Sequence, residues 1–598
     1  MHFLLPFLLS LSTCVFADEV GPDFDPNDTE AYELDYGYYP FRTYETISQI
    51  SPQLRVLTDS PNATTAGDLV WVKSTGGQAY DFKVQNYQGG QYLSYWVGDD
   101  RVRGHGAGDY HVLDASYQET FKVSAMNNLS ADLHELFITP AGTALITIYQ
   151  IYPFDVTELR EFAEDEKDPN YIWDWELVFE WRASDWHALN ETYRDIGGGG
   201  TLEDPFDWYH INSVEKDELG NYLISARYTH TVTYIDGRTG EIIWVLGGKR
   251  NAFKDLSGGN ATNFAWQHDA RFHSMETFPQ LLKDEVKANK ASKDNSEQTT
   301  QLVTIFDNSA EDQRYTNPIS RGLLLEVTYP KVSTEDTSRT ADLSKREATP
   351  QTSDEYTVRL VRSYENPLGV VSSSQGSVQV LPPYSRRQDP KILVGYGYNA
   401  VWTEYAANGT VLCDTHFATN YSWERGDVQS YRAFKFPWIG QPAEPPTAIL
   451  SEDGGVIYTS WNGATEVRSW ILQESKDYEL GEEEWQDISE VQKNGFETEI
   501  EFDESQVKRY LRIKAVDDKG IALGVSRELD MGWTAGLVHI TPHVAKKTST
   551  SLKFLTLFVC NIAILYVLCK IYRYFCVRKR ARSLRGYSSV RTLSFDDE

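Results

Sequence analysis

Short stretches of alternating apolar and polar residues, separated by Gly, Asn and Asp, recur along the first two thirds of the chain. Alternation with a period of two is typical of half-buried β-strands, and the residues between the stretches favour tight turns. One group of four such stretches covers residues 210–246, and another covers 377–413. A shorter unit at 134–148 contains two strands around a glycine turn.

Four antiparallel strands per repeat are typical of the blade of a β-propeller, and residues 41–440 are long enough for six blades. The sequence therefore predicts an all-β protein built on a six-bladed β-propeller. A large β-sandwich or jelly roll is the alternative, which the four-strand grouping disfavours. Two polar stretches, 283–300 and 333–354, contain almost no apolar residues and are predicted to be mobile loops inserted between strands.

The pattern changes after a proline-rich break at 442–446. Four strands with inward apolar and outward polar residues are predicted at 455–461, 467–472, 497–502 and 510–516. This stretch resembles a fibronectin type III domain over residues 446–540, a small β-sandwich. We expect Trp461 and the strand beginning at Tyr510 in its core, and no catalytic role.

Both ends of the chain carry apolar segments that suggest entry into the secretory pathway. Residues 1–17 have the apolar run and small terminal residues of a cleaved signal peptide. Residues 552–572 are apolar enough to span a bilayer as one helix, and the basic tail at 573–598 is expected in the cytosol. A single-pass type I membrane protein follows, with its large domain lumenal or extracellular. Seven glycosylation sequons precede the span, beginning at Asn27, Asn62, Asn128, Asn190, Asn260, Asn408 and Asn420.

Composition narrows the range of partners and of stabilising features. The 598-residue chain has a formal net charge of −31, which argues against a nucleic-acid partner. Of its five cysteines, only Cys413 lies between the predicted signal and the predicted span, so no intramolecular disulfide is available there. A large packed β core must therefore supply the stability.

The candidate chemistry lies in histidines at the start of predicted strands. His134, His210 and His268 occupy equivalent places, and propeller geometry would gather them around one axial channel with Arg227 and Asn212. Imidazole attacks or relays protons near neutral pH, and guanidinium matches sulfate or phosphate oxygens. A structural hydrogen-bonding role and a Zn²⁺ or Cu²⁺ site are the alternatives. Because Arg227 would repel a dication, we expect no metal ion and no cofactor.

Several motifs make residues 41–438 similar to the arylsulfotransferase (ASST) family, in particular its branch common in fungal genomes. They are YLSYWVG at 92–98, GHG at 104–106, HELFITP at 134–140, DWYHINS at 207–213, SAR at 225–227, IWVLG at 243–247 and WQHDA at 266–270. The resemblance implies a six-bladed propeller. It also implies transfer of a sulfuryl group from an aryl sulfate to a phenol without a nucleotide donor. Glu135 departs from the pattern, because bacterial members tend to have aspartate after this histidine.

Residue roles follow from the same resemblance. His268 is expected to become sulfated, His210, Asn212 and Arg227 to bind the sulfate oxygens, and His134 to be a further catalytic histidine. Transfer would then be ping-pong, through a covalent sulfo-histidine. The alternative class is a non-catalytic propeller at the cell surface or in a lumen, binding a glycan, cell-wall component or protein. The intact His and Arg set favours the enzyme, and Glu135 favours the alternative.

Overall fold

Almost all stretches of alternating apolar and polar residues within the described chain form β-strands. In this computed structural model the described residues are 53–57 and 69–533, except 76, 101–103, 128, 151–178, 196–205, 284–296, 312–313, 316–318, 333–352, 384, 386, 400, 417–424, 427 and 477–484. The prediction of an all-β protein is confirmed, and three-residue 3-10 helices occur at Ala183–Asp185, Leu189–Glu191, Met275–Thr277 and Met531–Trp533. Closure of the sheets into a six-bladed propeller stays a prediction.

The first part of the chain forms three antiparallel sheets. Their strands are β1 Gln53–Leu57, β2 Leu69–Ser74, β3 Gln78–Tyr87, β4 Gly90–Asp99, β5 Ala107–Leu113, β6 Glu119–Val123, β7 Leu136–Ile138 and β8 Ala144–Ile146. The strand orders are β1-β2, β3-β4-β5-β6 and β7-β8. The predicted unit at 134–148 is thus a two-stranded sheet.

The middle of the chain contains the two four-strand groups and a wider sheet between them. Its strands are β9 Ile211–Lys216, β10 Tyr222–Ala226, β11 Thr231–Ile235, β12 Ile242–Gly247, β13 Phe253–Asp255, β14 His268–His273, β15 Gln298–Asp307, β16 Ala310–Glu311, β17 Arg314–Tyr315, β18 Arg321–Pro330, β19 Ser353–Glu365, β20 Ser377–Leu381, β21 Lys391–Tyr396, β22 Val401–Ala406 and β23 Val411–His416. β9 to β12 and β20 to β23 are four-stranded antiparallel sheets in chain order.

The wider sheet departs from the four-strand expectation. It has the order β13-β19-β18-β15-β14, in which β13 adds a fifth strand parallel to β19. Both predicted loops were drawn slightly too long, because β15 begins at Gln298 and β19 at Ser353. Residues 284–296 and 333–352 of these loops lie outside the described residues.

Consecutive sheets pack against one another through apolar side chains. Trp244 and Leu246 of β12 share one buried cluster with Val303 of β15 and Leu325 of β18. A second cluster joins Phe306 and Leu324 of that sheet to Val394 of β21. Burial of this kind is the main stabilising contribution in a chain whose described cysteine, Cys413, is free.

Residues 447–525 form two further antiparallel sheets. Their strands are β24 Thr447–Leu450, β25 Val456–Ser460, β26 Ser469–Ser475, β27 Gln486–Gln492, β28 Glu497–Glu501, β29 Tyr510–Val516 and β30 Ala522–Val525, followed by β31 Leu529–Asp530. The orders are β24-β25-β28 and β27-β26-β29-β30. Trp470 is the fully buried tryptophan here, whereas Trp461 is only half-buried and donates to the Glu444 carbonyl at 2.6 Å. The expectation that Trp461 forms the core was therefore wrong.

Hydrogen bonds made by Asn462 and Gly463 connect this last region to β2, and we call this connection the Asn462 joint. The Asn462 side chain donates to the Val72 carbonyl and accepts from the Val72 N–H, both at 2.8 Å. Gly463 N–H donates to the Val70 carbonyl at 2.7 Å, and Tyr117 Oη donates to the Gly463 carbonyl at 2.7 Å. Asn462 thus extends the hydrogen bonding of β2 as a strand neighbour would.

The predictions for the chain ends fall outside the described residues. These include the signal peptide, the span at 552–572, the basic tail and the sequons at Asn27, Asn62, Asn128 and Asn420. None of the described helices is long and apolar enough to cross a bilayer. The sequon residues Asn190, Asn260 and Asn408 are described, and all three are exposed.

Candidate active site

Three strand starts carry the predicted histidines. His134 lies two residues before β7, His210 directly precedes β9, and His268 is the first residue of β14. All three are at least 97 % buried, with relative exposures of 3 %, 2 % and 2 %. The rings of His134 and His210 lie 4.7 Å apart at an interplanar angle of 84°. His210 has a φ of +60°, a conformation that turns the chain sharply into β9.

Each of these histidines uses Nδ1 to contact an oxygen. Asp132 Oδ2 lies 2.5 Å from His134 Nδ1, Asp207 Oδ2 lies 2.5 Å from His210 Nδ1, and Asn308 Oδ1 lies 2.6 Å from His268 Nδ1. Because a carboxylate or amide oxygen can only accept a hydrogen bond, Nδ1 must carry the proton. The lone pair of the neutral ring is then on Nε2. Nε2 of these rings makes no hydrogen bond to the described part of the chain.

Burial keeps two of the imidazoles neutral. Burial, with the charges of His134 and Arg227, lowers the pKa of His210 well below its ordinary value. Burial and Arg227 do the same to the pKa of His268. A neutral ring has an available lone pair at physiological pH, as a nucleophile or base requires.

The two aspartates differ in their own ionisation. Burial would raise the pKa of Asp132, but the charge and hydrogen bonds of His134 and the Gly106 N–H hold it below the usual range. Burial raises the pKa of Asp207 to about 6. Asp132 is therefore a firmly ionised partner for His134, whereas Asp207 titrates close to neutrality.

Arg227 lies directly after β10, beside His210. Its N–H donates to the His210 carbonyl at 2.9 Å, which fixes the two residues side by side. The guanidinium donates from Nη2 to the Ser373 carbonyl at 2.7 Å and lies against the rings of Tyr228 and Trp266. Its buried Nε has no hydrogen-bond partner among the described residues. A buried cation with an open donor fits an oxyanion.

Asn212 is placed differently from the prediction of direct oxygen binding. Its Nδ2 donates to the Gln267 carbonyl at 2.7 Å, while its buried Oδ1 has no partner within the described ranges. The side chain thus ties β9 to the residue that precedes His268. This contact gives Asn212 a positioning role, and oxygen binding by it stays a prediction.

Sequence reasoning missed a fourth histidine and two tyrosines at the same place. His105 stacks on Tyr149 at 4.7 Å, and the Tyr149 ring lies 5.8 Å from His134 and 5.9 Å from His210. Tyr228 lies 4.7 Å from His210. His105 stands inside the GHG motif at 104–106, and this motif is the signal in the sequence that could have indicated it. Hereafter the histidine cluster means His105, His134, His210 and His268 with Arg227.

Gly104 in this motif is required by the close approach of His210. A Cβ on Gly104 would lie 3.1 Å from His210 Cε1, and its φ of +91° is unfavourable for other residues. Because Gly104 has no side chain, His210 can lie against the backbone of the GHG motif and close to His105.

Glu135, the departure noted in the sequence, belongs to a separate buried network. Its carboxylate contacts Lys83, Arg271 at 2.5 Å and Arg432 at 3.0 Å. Asp81 pairs with Lys83 at 3.0 Å and Arg432 at 3.3 Å, and Asp269 pairs with Arg271 at 2.8 Å. Three carboxylates thus balance three cations, and we call this set the ion cluster. Burial would raise the pKa of Glu135, but Arg271, Arg432 and Lys83 hold it well below the usual range.

The chain belongs to the arylsulfotransferase family. The family model described as arylsulfotransferase (ASST) matches residues 83–418, more than half of the chain. His105, His134, His210, Arg227 and His268 all lie inside that range. No curated protein matches the chain.

Two solved structures show weak likeness. The extracellular domain of a hybrid two-component system from B. thetaiotaomicron has a TM-score of 0.24 and 10 % identity over 79 % of this chain and 58 % of that one. Hydrazine synthase from Kuenenia stuttgartiensis has a TM-score of 0.12 and 9 % identity over 51 % of this chain and 75 % of that one. This chain thus covers little more than half of the first structure, and neither likeness supports an inference.

Proposed function

We propose that the protein transfers a sulfuryl group from an aryl sulfate to a phenol through a sulfo-histidine at His268. The observation that carries this proposal is the contact of His268 Nδ1 with Asn308 Oδ1 at 2.6 Å, which leaves the Nε2 lone pair available, in a buried place where the charge of Arg227 lowers the pKa of His268. Family membership independently suggests arylsulfotransferase-like activity. No cofactor enters the reaction.

In the first half-reaction the Nε2 lone pair of His268 attacks sulfur, and the S–O bond to the aryl group breaks. The aryl oxygen leaves with the bond electrons, while Arg227 stabilises the charge on the sulfuryl oxygens. In the second half-reaction a phenol oxygen attacks the same sulfur and releases His268. Charge stabilisation and positioning provide most of the catalysis, because the sulfuryl group carries spread negative charge.

Protons must also move, because phenols ionise near pH 10. In the second half-reaction the accepting phenol loses its proton to a neutral histidine Nε2, and the imidazolium so formed returns that proton to the aryl oxygen that leaves in the next cycle. His134 with Asp132 and His210 with Asp207 resemble the His–Asp pairs that stabilise a transient imidazolium. His268 contacts the neutral Asn308 instead. This difference supports His268 as the nucleophile and the other two as proton carriers.

The architecture around the site is part of the proposal. We propose a six-bladed propeller of the fungal branch, supported by the four-stranded sheets that follow the chain order. The sheet orders β24-β25-β28 and β27-β26-β29-β30 support a fibronectin type III-like module. The sequence of the ends supports a signal peptide and one membrane helix, with the large domain lumenal or extracellular.

A non-catalytic binding propeller was favoured by Glu135 alone. Because Glu135 pairs with Lys83, Arg271 and Arg432 in the ion cluster, its identity no longer distinguishes the two classes. No other observation favours the binding protein.

The test uses the full chain in detergent with a chromogenic aryl sulfate and a phenol. We expect phenolate release, and one added sulfuryl group by intact mass when the acceptor is omitted. His268→Ala should lose both, with kcat reduced on the order of 10⁴-fold or more. His111→Ala is the matched control, because His111 pairs with Glu119 outside the site. Phenolate release by His268→Ala at the wild-type rate would remove His268 from the mechanism.

A further inference from the structure

Asn308 follows β15 and is fully buried, 40 residues from His268 in sequence. Its Nδ2 donates to two carbonyls, those of Ser372 at 2.8 Å and Gln375 at 2.9 Å. Both amide hydrogens are therefore used, and rotation of the amide would place its oxygen against two other oxygens. Oδ1 is consequently fixed toward His268 Nδ1 at 2.6 Å.

The backbone of Asn308 is held as firmly as its side chain. Its carbonyl accepts from Ser320 Oγ at 2.6 Å, and the same hydroxyl accepts from the Ser372 N–H at 2.7 Å. Residues 372–375 also accept Arg227 through the Ser373 carbonyl at 2.7 Å. One short segment thus sets both the amide that contacts the nucleophile and the guanidinium beside it.

We infer that Asn308 is a positioning residue that holds His268 in the Nδ1–H tautomer and directs the Nε2 lone pair toward the sulfuryl group. This inference rests on the proposed function for its catalytic consequence. The carbonyls of Ser372 and Gln375 each need a hydrogen-bond donor. The NH₂ group of an asparagine supplies both donors, whereas an aspartate carboxylate at this position would supply none. An uncharged acceptor orients the ring without stabilising an imidazolium, in which Nε2 would have no lone pair.

The first measurement needs neither turnover nor a variant of Asn308. Nitrogen-15 labelling of the histidines in the full chain distinguishes a protonated from an unprotonated ring nitrogen, and His268→Ala assigns the His268 signals. We expect a single neutral tautomer with Nδ1 protonated. A protonated Nε2, or a mixture of the two tautomers, would overturn the inference.

The second measurement uses Asn308→Leu, which keeps the approximate shape and removes the acceptor. We expect a mixture of His268 tautomers and a kcat lower by about 10- to 100-fold. KM for the aryl sulfate should be nearly unchanged, because the Ser372 N–H still binds Ser320 Oγ and so holds the segment whose Ser373 carbonyl accepts from Arg227. Asn366→Leu is the control, because Asn366 is similarly buried and contacts Thr403 and Asp414 instead of a histidine.

The outcomes separate the two proposals. An unchanged tautomer or an unchanged kcat in Asn308→Leu would contradict the positioning role. A wild-type chain with the expected tautomer but no sulfuryl transfer would overturn the proposed function and leave the tautomer assignment standing.

Discussion

The histidine cluster and the ion cluster are neighbours along the chain but differ in how their charges are compensated. Glu135 follows His134, and Asp269 follows His268. In the ion cluster Arg432 meets two carboxylates within 3.3 Å and donates to the Asn212 carbonyl at 2.6 Å. In the histidine cluster Arg227 forms no ion pair with any described residue. Nε lacks a hydrogen-bond partner in both arginines, so this feature does not distinguish them. They differ in whether carboxylates compensate the charge of the guanidinium.

This difference indicates that the buried charges of the ion cluster stabilise the fold, whereas the buried charge of Arg227 acts in binding and chemistry. Breaking a compensated buried network leaves charges unpaired, so its residues act on stability. An uncompensated guanidinium costs stability until an anion binds, so its effect is expected in binding and rate. Substitutions in the two clusters should therefore fall into two groups with little overlap.

Arg432→Leu should give the largest stability effect. It leaves Glu135 and Asp81 with fewer partners, and removal of one partner from a buried pair costs about 3–5 kcal/mol. Denaturant unfolding of the full chain measures this loss. Arg238→Leu, at a partly exposed pair with Asp236, should change stability by less than about 1 kcal/mol. Similar losses for both variants would mean that the ion cluster contributes no special stability.

Arg227→Lys should reduce kcat by about 10²- to 10³-fold while stability changes little. Lysine keeps the charge but loses the planar fork that reaches Ser373 and the sulfuryl oxygens together. Steady-state kinetics with an aryl sulfate measures the effect. Arg359→Lys, which retains a pair with Glu326, controls for loss of a guanidinium elsewhere. A stability loss as large as that of Arg432→Leu would contradict the division between the clusters.

Asp207→Asn should lower kcat/KM at neutral pH, where Asp207 is ionised, and should differ less from the wild type as the pH falls below 6. Burial raises the pKa of Asp207 to about 6, so the carboxylate takes up a proton as pH falls through that value. Only the carboxylate supports an imidazolium at His210, so wild-type activity should fall about tenfold per pH unit below 6. Asp207→Asn should lack this acid limb in kcat/KM. An unchanged limb would assign it to another group.

Local patterns predicted the strands better than they predicted contacts. The groups at 210–246 and 377–413 became β9 to β12 and β20 to β23, because each needs only short turns. The histidines were found through their equivalent strand starts. Asp132 stands two residues before His134, and Asp207 stands three residues before His210. This short spacing is a local signal from which the two His–Asp contacts could have been predicted.

The remaining contacts depend on distances along the chain that no local pattern records. Asn308 is 40 residues from His268, and Arg432 is 297 residues from Glu135. Glu135 therefore looked like a change in the site itself, although its partners lie on other sheets. The parallel pairing of β13 with β19 was missed for the same reason, because β14 to β18 lie between them and 100 residues separate Lys254 from Asp354.

The Asn462 joint also limits how the polypeptide can be shortened. Trp71 stacks on Tyr117 at 4.9 Å, and Trp438 donates to Tyr117 Oη at 2.9 Å. A fragment ending near residue 440 would uncover this aromatic surface and leave the edge of β2 without its neighbour, two features that promote aggregation. Recombinant versions should therefore retain residues through 529, even when only sulfuryl chemistry is of interest.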